Sequence, residues 1–310
     1  MEKILLDCDP GHDDALAIML AAGDPRAELL GITTVAGNQT IEKVTHNARA
    51  VCTVAGIEVP VAQGAAGPLA REAPIIAPDY HGESGLDGPQ LPEPAVPLDP
   101  RTAAAFIIET VLAHEPGTVT LVPTGPLTNI ALALALEPRL ADRVKRVCLM
   151  GGSYTRGNRT PAAEFNILAD PEAAAAVFAA RWPVTMVGLD LTHQALADES
   201  FRRRVRDLGT PLAAFVEEFL DFFAGAYARR GFSAPAVHDL CAVAAVLDPG
   251  VMTYRDAFVT VETAGRWTTG MTVTDFDGSL GREANTSVAV TLDRVRLWDM
   301  TVGALASLGG

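Results

Sequence analysis

Residues 3–22 read KILLDCDPGHDDALAIMLAA. An apolar run, Lys3–Leu6, ends in an acidic turn and is followed by an Ala- and Leu-rich stretch, His12–Ala22, composed of strong helix formers. Strand, tight turn and helix form the opening of a βαβ unit. The same alternation recurs downstream, with strands expected at Leu29–Val35, Thr118–Val122, Val144–Met150 and Pro183–Val187. Helices are expected at Ile41–Ala55, Leu127–Ala135 and Pro171–Ala180, the last two beginning near a proline that suits a first turn. This order predicts an α/β fold: an open, mostly parallel central sheet flanked by helices, Rossmann-like and buried on both faces. Glu199–Arg230 reads as helical throughout, and Val251–Leu292 turns to Thr/Val alternation with Gly-rich turns, which predicts a late β-hairpin. No linker-like run divides the chain, so residues 1–310 are expected to form a single domain, with Gly64–Asp99 its most loop-like segment.

Composition narrows the function. At 49% hydrophobic and 20% charged, the 310 residues describe a globular chain. Lys and Arg number 24 against 38 Asp and Glu, and the net charge of −14 repels phosphate backbones and anionic lipid, so neither nucleic acid nor membrane is an expected partner. The N-terminus turns acidic too early for a secretory signal, and no run reaches the roughly 18 apolar residues of a membrane span. A cytoplasmic location is expected. Cys8, Cys52, Cys148 and Cys241 lie far apart without a C-x-x-C pair, so free buried thiols are expected. The basic run Arg202–Arg206, with acidic residues around it, reads as a solvated helix face.

The chemistry centres on Asp7, Asp9, Asp13 and Asp14, four carboxylates within eight positions. Capping accounts for one or two of them, with Asp9 as cap, Pro10 in the first turn and the early acids complementing the helix dipole, and contributes about 1 kcal/mol per cap. That gain does not offset the mutual repulsion of four acids at the mouth of a buried strand, whereas a bound cation does. All-oxygen ligands favour a hard divalent ion, Ca²⁺ ahead of Mg²⁺, since no phosphate-handling motif accompanies them. Ala36-Gly37-Asn38, Pro123–Asn129 and Gly151-Gly152-Ser153 each follow a strand. Singly these are ordinary turns, but in a parallel sheet such ends gather at one edge, where ligands bind. Glu164 and Asn166, two apart, would point to one side of an extended backbone and suit a polyhydroxyl ligand. His238-Asp239 opens the apolar stretch Leu240–Leu247, leaving Asp239 free to join a metal and His238 free to exchange protons, although a histidine at a helix start is by itself ordinary structure. Asp275–Gly278 brings its glycine too early for an EF-hand and reads as a turn.

Taken in order, D-x-D-P-G-x-D-D at Asp7–Asp14, A-G-N at Ala36–Asn38, H-G-x-S-G-L-D-G at His81–Gly88, P-T-G-P-L-T-N at Pro123–Asn129, M-G-G at Met150–Gly152, A-E-F-N at Ala163–Asn166 and H-D at His238–Asp239 resemble the nucleoside hydrolase family of inosine-uridine-preferring type. The resemblance implies an enzyme that hydrolyses the N-glycosidic bond of ribonucleosides to free base and ribose. By similarity, Asp9, Asp14 and Asp239 ligate Ca²⁺ with their carboxylates and Thr124 with its backbone carbonyl, and Asp9 takes a proton from a metal-bound water. Asp13, Asn38, Met150, Asn158, Glu164 and Asn166 hold the ribose, with Asn158 and Glu164 toward the 5′-hydroxyl and Asp13 and Asn166 toward the 2′- and 3′-hydroxyls. His238 matches the leaving-group acid, and His81 and Tyr227 are expected beside the base. The resemblance also implies a homodimer or homotetramer. The chain departs from the pattern at Thr269, where the family often carries a basic residue.

Bond cleavage builds cationic character on the ribose and negative charge on the base, so a catalyst needs a nucleophile, an acidic cluster and a proton donor. A phosphohydrolase with the same D-x-D would need a positive residue at the other strand ends, and those loops offer none. A non-catalytic sensor of nucleosides would have no use for a proton donor such as His238.

Overall fold

The computed structural model describes residues 1–310. Its strands are β1 (Glu2–Cys8), β2 (Ala27–Thr34), β3 (Val61–Gln63), β4 (Leu98–Asp99), β5 (Val119–Pro123), β6 (Arg146–Met150), β7 (Val184–Val187), β8 (Met252–Val261), β9 (Thr272–Asp275) and β10 (Thr286–Leu292). The helices are α1 (His12–Gly23), α2 (Ile41–Ala55), α3 (Pro78–His81), α4 (Ala103–Ala113), α5 (Thr128–Leu136), α6 (Leu140–Arg143) and α7 (Phe165–Ala169). They continue with α8 (Pro171–Ala179), α9 (Leu189–Thr192), α10 (Glu199–Arg206), α11 (Pro211–Ala228), α12 (Asp239–Leu247) and α13 (Arg294–Leu308).

The strands form one ten-stranded sheet in the order β4-β3-β2-β1-β5-β6-β7-β10-β8-β9. All neighbours from β4 to β10 in that order are parallel; β8 runs antiparallel to β10, and β9 antiparallel to β8. β1 shows why the parallel part forms. Ile4, Leu5 and Leu6 are all buried, and alternate side chains of a strand face opposite ways. Ile4 and Leu6 pack in one apolar cluster with α1 and α12, while Leu5 packs in another with Phe106 and Leu121. A strand apolar at consecutive positions fits a sheet covered on both faces.

From β1 the chain builds outward through β2, β3 and β4, then returns through α4 to β5 on the other side of β1. The strand order reverses there, and a crevice opens beyond the C-terminal ends of β1 and β5. Asp7 lies in register with Thr33 of β2 and Pro123 of β5, so the loops that leave these three strands converge.

The predicted elements correspond to observed ones with ends shifted by two residues or fewer, apart from two stretches. Glu199–Arg230 is not one helix: α10 ends at Arg206 and α11 starts at Pro211, because Gly209 turns to φ +65° and Pro211 has no N–H to continue the helix. The late segment contains the expected hairpin, β8 with β9, and in addition β10, which inserts between β7 and β8. Gly64–Asp99 is mostly loop, with α3 and β4 within it. All four cysteines are free and buried. Arg202, Arg204 and Arg206 pair with Glu217, Asp221, Asp299 and Glu199, as expected of a solvated face. No helix is long and apolar enough to cross a membrane.

Candidate active site

The turn after β1 holds the acids. Asp9 is not the cap of α1: the helix begins at His12 with Gly11 at the cap position, and Asp14 reaches back to accept the Gly11 N–H at 3.0 Å. This frees Asp9, whose Oδ2 accepts the backbone N–H of Asn38 at 2.6 Å. The Asn38 side chain donates to the Asp9 carbonyl at 3.1 Å and to Asp14 Oδ2 at 3.3 Å. Asp14 Oδ1 accepts from the Thr124 hydroxyl at 2.8 Å, and Asp13 Oδ2 from the His238 backbone N–H at 3.2 Å. The glycines after β2 and β5 make room for this. A Cβ on Gly37 would lie 2.1 Å from Asp9 Oδ2, and one on Gly125 would lie 2.7 Å from Asp9 Oδ1.

Asp13, Asp14 and Asp239 each offer an oxygen, and these oxygens lie within 4.8 Å of one another. The expected ligand set had Asp9 rather than Asp13 beside Asp14 and Asp239; Asp9 is buried and is not among the residues that line the cavity with Asp13 and Asp239. Burial, reinforced by neighbouring carboxylates, pushes Asp9 and Asp239 well above the usual carboxylate range and Asp13 up to about 7; burial also raises Asp14. Asp9 Oδ1 is buried without a hydrogen-bond partner. Asp7, the remaining acid of the motif, faces elsewhere and accepts from Thr33 and Asn129 through Oδ1.

Glu164 is extended, with φ −76° and ψ 154°, but Asn166 lies in the first turn of α7, so the two do not share one extended stretch. Glu164 caps α7 and its carboxylate accepts from the N–H groups of Asn166, Ile167 and Gly152, so the orphan donors of a helix start fix it in place. Burial raises it to about 7. Asn166 donates to the carbonyls of Thr124, at 2.7 Å, and Met150, at 3.1 Å. Asn158 accepts the Phe165 N–H at 3.0 Å from an exposed position at the mouth.

One cavity collects Asp13, Asn38, His81, Thr124, Met150, Asn158, Glu164, Asn166, Tyr227, His238 and Asp239, all expected site residues. At its other end Tyr227 Oη lies 2.7 Å from His238 Nε2, and Thr192 Oγ1 lies 2.7 Å from His238 Nδ1. Burial draws His238 down to about 3 and His81 well below the usual imidazole range. His81 is backed by His12, with Nδ1 atoms 3.0 Å apart.

The sequence model of the family described as inosine-uridine preferring nucleoside hydrolase matches residues 4–299. The chain belongs to that family. It is 53% identical over 309 residues to an inosine-uridine preferring nucleoside hydrolase of Leishmania major, covering 99% of this chain and 98% of the relative. It is 47% identical over 306 residues to a pyrimidine-specific ribonucleoside hydrolase of Shewanella woodyi, covering 97% of each. Among solved structures, a purine-preferring ribonucleoside hydrolase from Gardnerella vaginalis superposes with a TM-score of 0.93 at 33% identity over 99% of both chains.

This nucleoside hydrolase is therefore an enzyme acting on ribonucleosides, and its cavity has walls that sequence reasoning missed. Tyr80, His193, Phe223 and Phe232 join His81 and Tyr227 as a ring-lined end. His193 caps the C-terminal end of α9, the short helix after β7, so a rule that reads the turn directly after a strand does not reach it. Nothing in the sequence marks Tyr80 or Phe232.

Proposed function

We propose that this nucleoside hydrolase releases free base and ribose with a resident Ca²⁺ among Asp9, Asp14, Asp239 and the Thr124 carbonyl, with Asp13 beside them. The observation that carries this is the buried Asp9 Oδ1 with no partner, set in a crowd of desolvated carboxylates. A hard divalent ion fits that all-oxygen donor set and relieves its repulsion. When bound, such an ion lowers the pKa of a water and fixes vicinal hydroxyls.

Asp9 takes the proton from the water that attacks C1′, its orientation fixed by the Asn38 N–H. Asp13 and Asn166 hold the 2′- and 3′-hydroxyls, Asn158 and Glu164 the 5′-hydroxyl, and Asn38 and Met150 complete the ribose site. The acids favour the positive charge that grows on the sugar. His238 gives a proton to the departing base. Negative charge developing on the base favours the protonated ring, which offsets the burial that disfavours it at rest. His81 and Tyr227 border the base.

The reading extends to a single domain, a homodimer or homotetramer, and a cytoplasmic role in nucleoside salvage. The named relatives differ in the base they prefer. An initial-rate panel of purine and pyrimidine ribosides, run with and without chelator, tests the activity, its ion dependence and the base preference together. Turnover of none of them by the ion-loaded protein overturns the reading.

A further inference from the structure

With the ribose held among Asp13, Glu164 and Asn166, the base falls to the ring-lined end of the cavity. Exposure rises along that end: Tyr227 and His238 are buried, His193 is half-buried and Phe232 is 39% exposed. Tyr227 Oη and His238 Nε2 engage each other at 2.7 Å, and His81 turns Nδ1 toward His12 at 3.0 Å. His193 differs. Its backbone N–H is fixed by the Leu189 carbonyl at 3.0 Å, and its ring stands edge-on to His238, with centroids 5.5 Å apart, and packs against Phe232 at 6.1 Å. Both neighbours line the cavity with it, yet its ring nitrogens make no hydrogen bond within the chain. Burial and the nearby Arg156 cation draw the ring below the usual imidazole range, so near pH 7 it is neutral and has one N–H to give.

We propose that His193 is a specificity-determining residue: its ring N–H donates to the exocyclic oxygen that a base carries on the edge away from the sugar, so ribosides with that oxygen are preferred over ribosides with hydrogen there. The flat faces of a base need only apolar cover, which Phe223 and Phe232 supply. A carbonyl oxygen on its rim loses water on entering the cavity and must find another donor. His193 lies on the solvent side of Tyr227 and His238, where the edge farthest from the ribose comes to rest. A base that carries only hydrogen on that edge gains nothing from the histidine. The proposal deepens the reading of the ring-lined end as the base site and rests on it.

The test uses His193→Phe, which keeps a ring against Phe232 and removes the donor, in the full-length, Ca²⁺-supplied enzyme. Two pairs of substrates are compared: inosine with purine riboside, which has hydrogen in place of the oxygen at C6, and uridine with pyrimidin-2-one riboside, which has hydrogen in place of the oxygen at C4. For whichever pair the wild type turns over, kcat/KM is expected to fall by about tenfold on the oxygen-bearing member and by less than about threefold on the other. Since each substrate is compared with itself in the two proteins, differences in leaving-group reactivity cancel. Competitive inhibition by the free bases gives a readout without bond cleavage: the variant is expected to bind hypoxanthine about tenfold more weakly and unsubstituted purine as the wild type does. His193→Leu run beside it guards against a misfolded Phe variant, and the same pattern is expected of it. Equal losses on both members of a pair, or an unchanged rate on the oxygen-bearing member, overturns the role of His193 while leaving the hydrolase reading intact. A wild type that turns over none of the four ribosides overturns the base site on which the proposal rests.

Discussion

The backbone N–H of Asn38 donates to Asp9 Oδ2 across 2.6 Å, while Oδ1 of the same carboxylate is buried with no partner. One oxygen is anchored and the other is left for whatever the site binds. Replacing Asp9 with Ala is expected to lower base release by about 10²- to 10⁴-fold, with circular dichroism and melting retained. Full activity in that variant removes Asp9 from the role of base.

Gly37→Ala tests the anchoring by steric means. Its Cβ would lie 2.1 Å from Asp9 Oδ2 and 2.8 Å from Pro126 Cδ, so the carboxylate must shift. A loss of about 10²-fold in kcat is expected from such a displacement. An alanine enzyme as fast as the wild type would mean that the position of the carboxylate does not govern the rate.

The crowded acids also set a pH dependence. An acid whose folded pKa is raised contributes stability that is fully present below its unfolded value and lost as pH rises through the folded one. For Asp13 and Glu164, raised by burial from the usual range to about 7, that loss runs from near pH 4 to near pH 7. The chelated protein is therefore expected to lose melting temperature from these groups across that interval. Ca²⁺ binds the ionised acids, so the gap in melting temperature between loaded and chelated protein widens from about pH 5 to about pH 8. Calorimetry showing a constant gap contradicts this, as does turnover that survives exhaustive chelation.

For His238→Ala the leaving group decides the outcome. Inosine turnover is expected to fall by about 10²- to 10⁴-fold and p-nitrophenyl riboside by less than about tenfold, since only the purine needs a proton to depart. Stopped assays of hypoxanthine and nitrophenolate release measure both.

The parallel core was legible because strands buried on two faces carry unbroken apolar runs, as Ile4–Leu6 and Val147–Met150 do. β3 and β4, with three and two residues, are too short to carry a period. At the site, the carboxylates of Asp13, Asp14 and Asp239 were found from residue type, and the strand ends from topology. Local backbone was less legible. Asp9 looks like a cap, but Pro10 and Gly11 carry the chain past it before α1 starts; Glu164 looks like part of a strand, but three N–H groups draw it into a cap. Phe232 and Tyr80 escaped because aromatic rings brought together by tertiary packing leave no spacing to read.

α1 carries Asp13 and Asp14 in its first turn, and its far end rests on the C-terminal helix: a Cβ on Gly23 would meet the Ala304 carbonyl oxygen at 2.5 Å. Residues 294–308 thus act as a backstop for the carboxylates from the opposite side of the molecule. Unpacking that helix is expected to loosen the turn that carries the two acids.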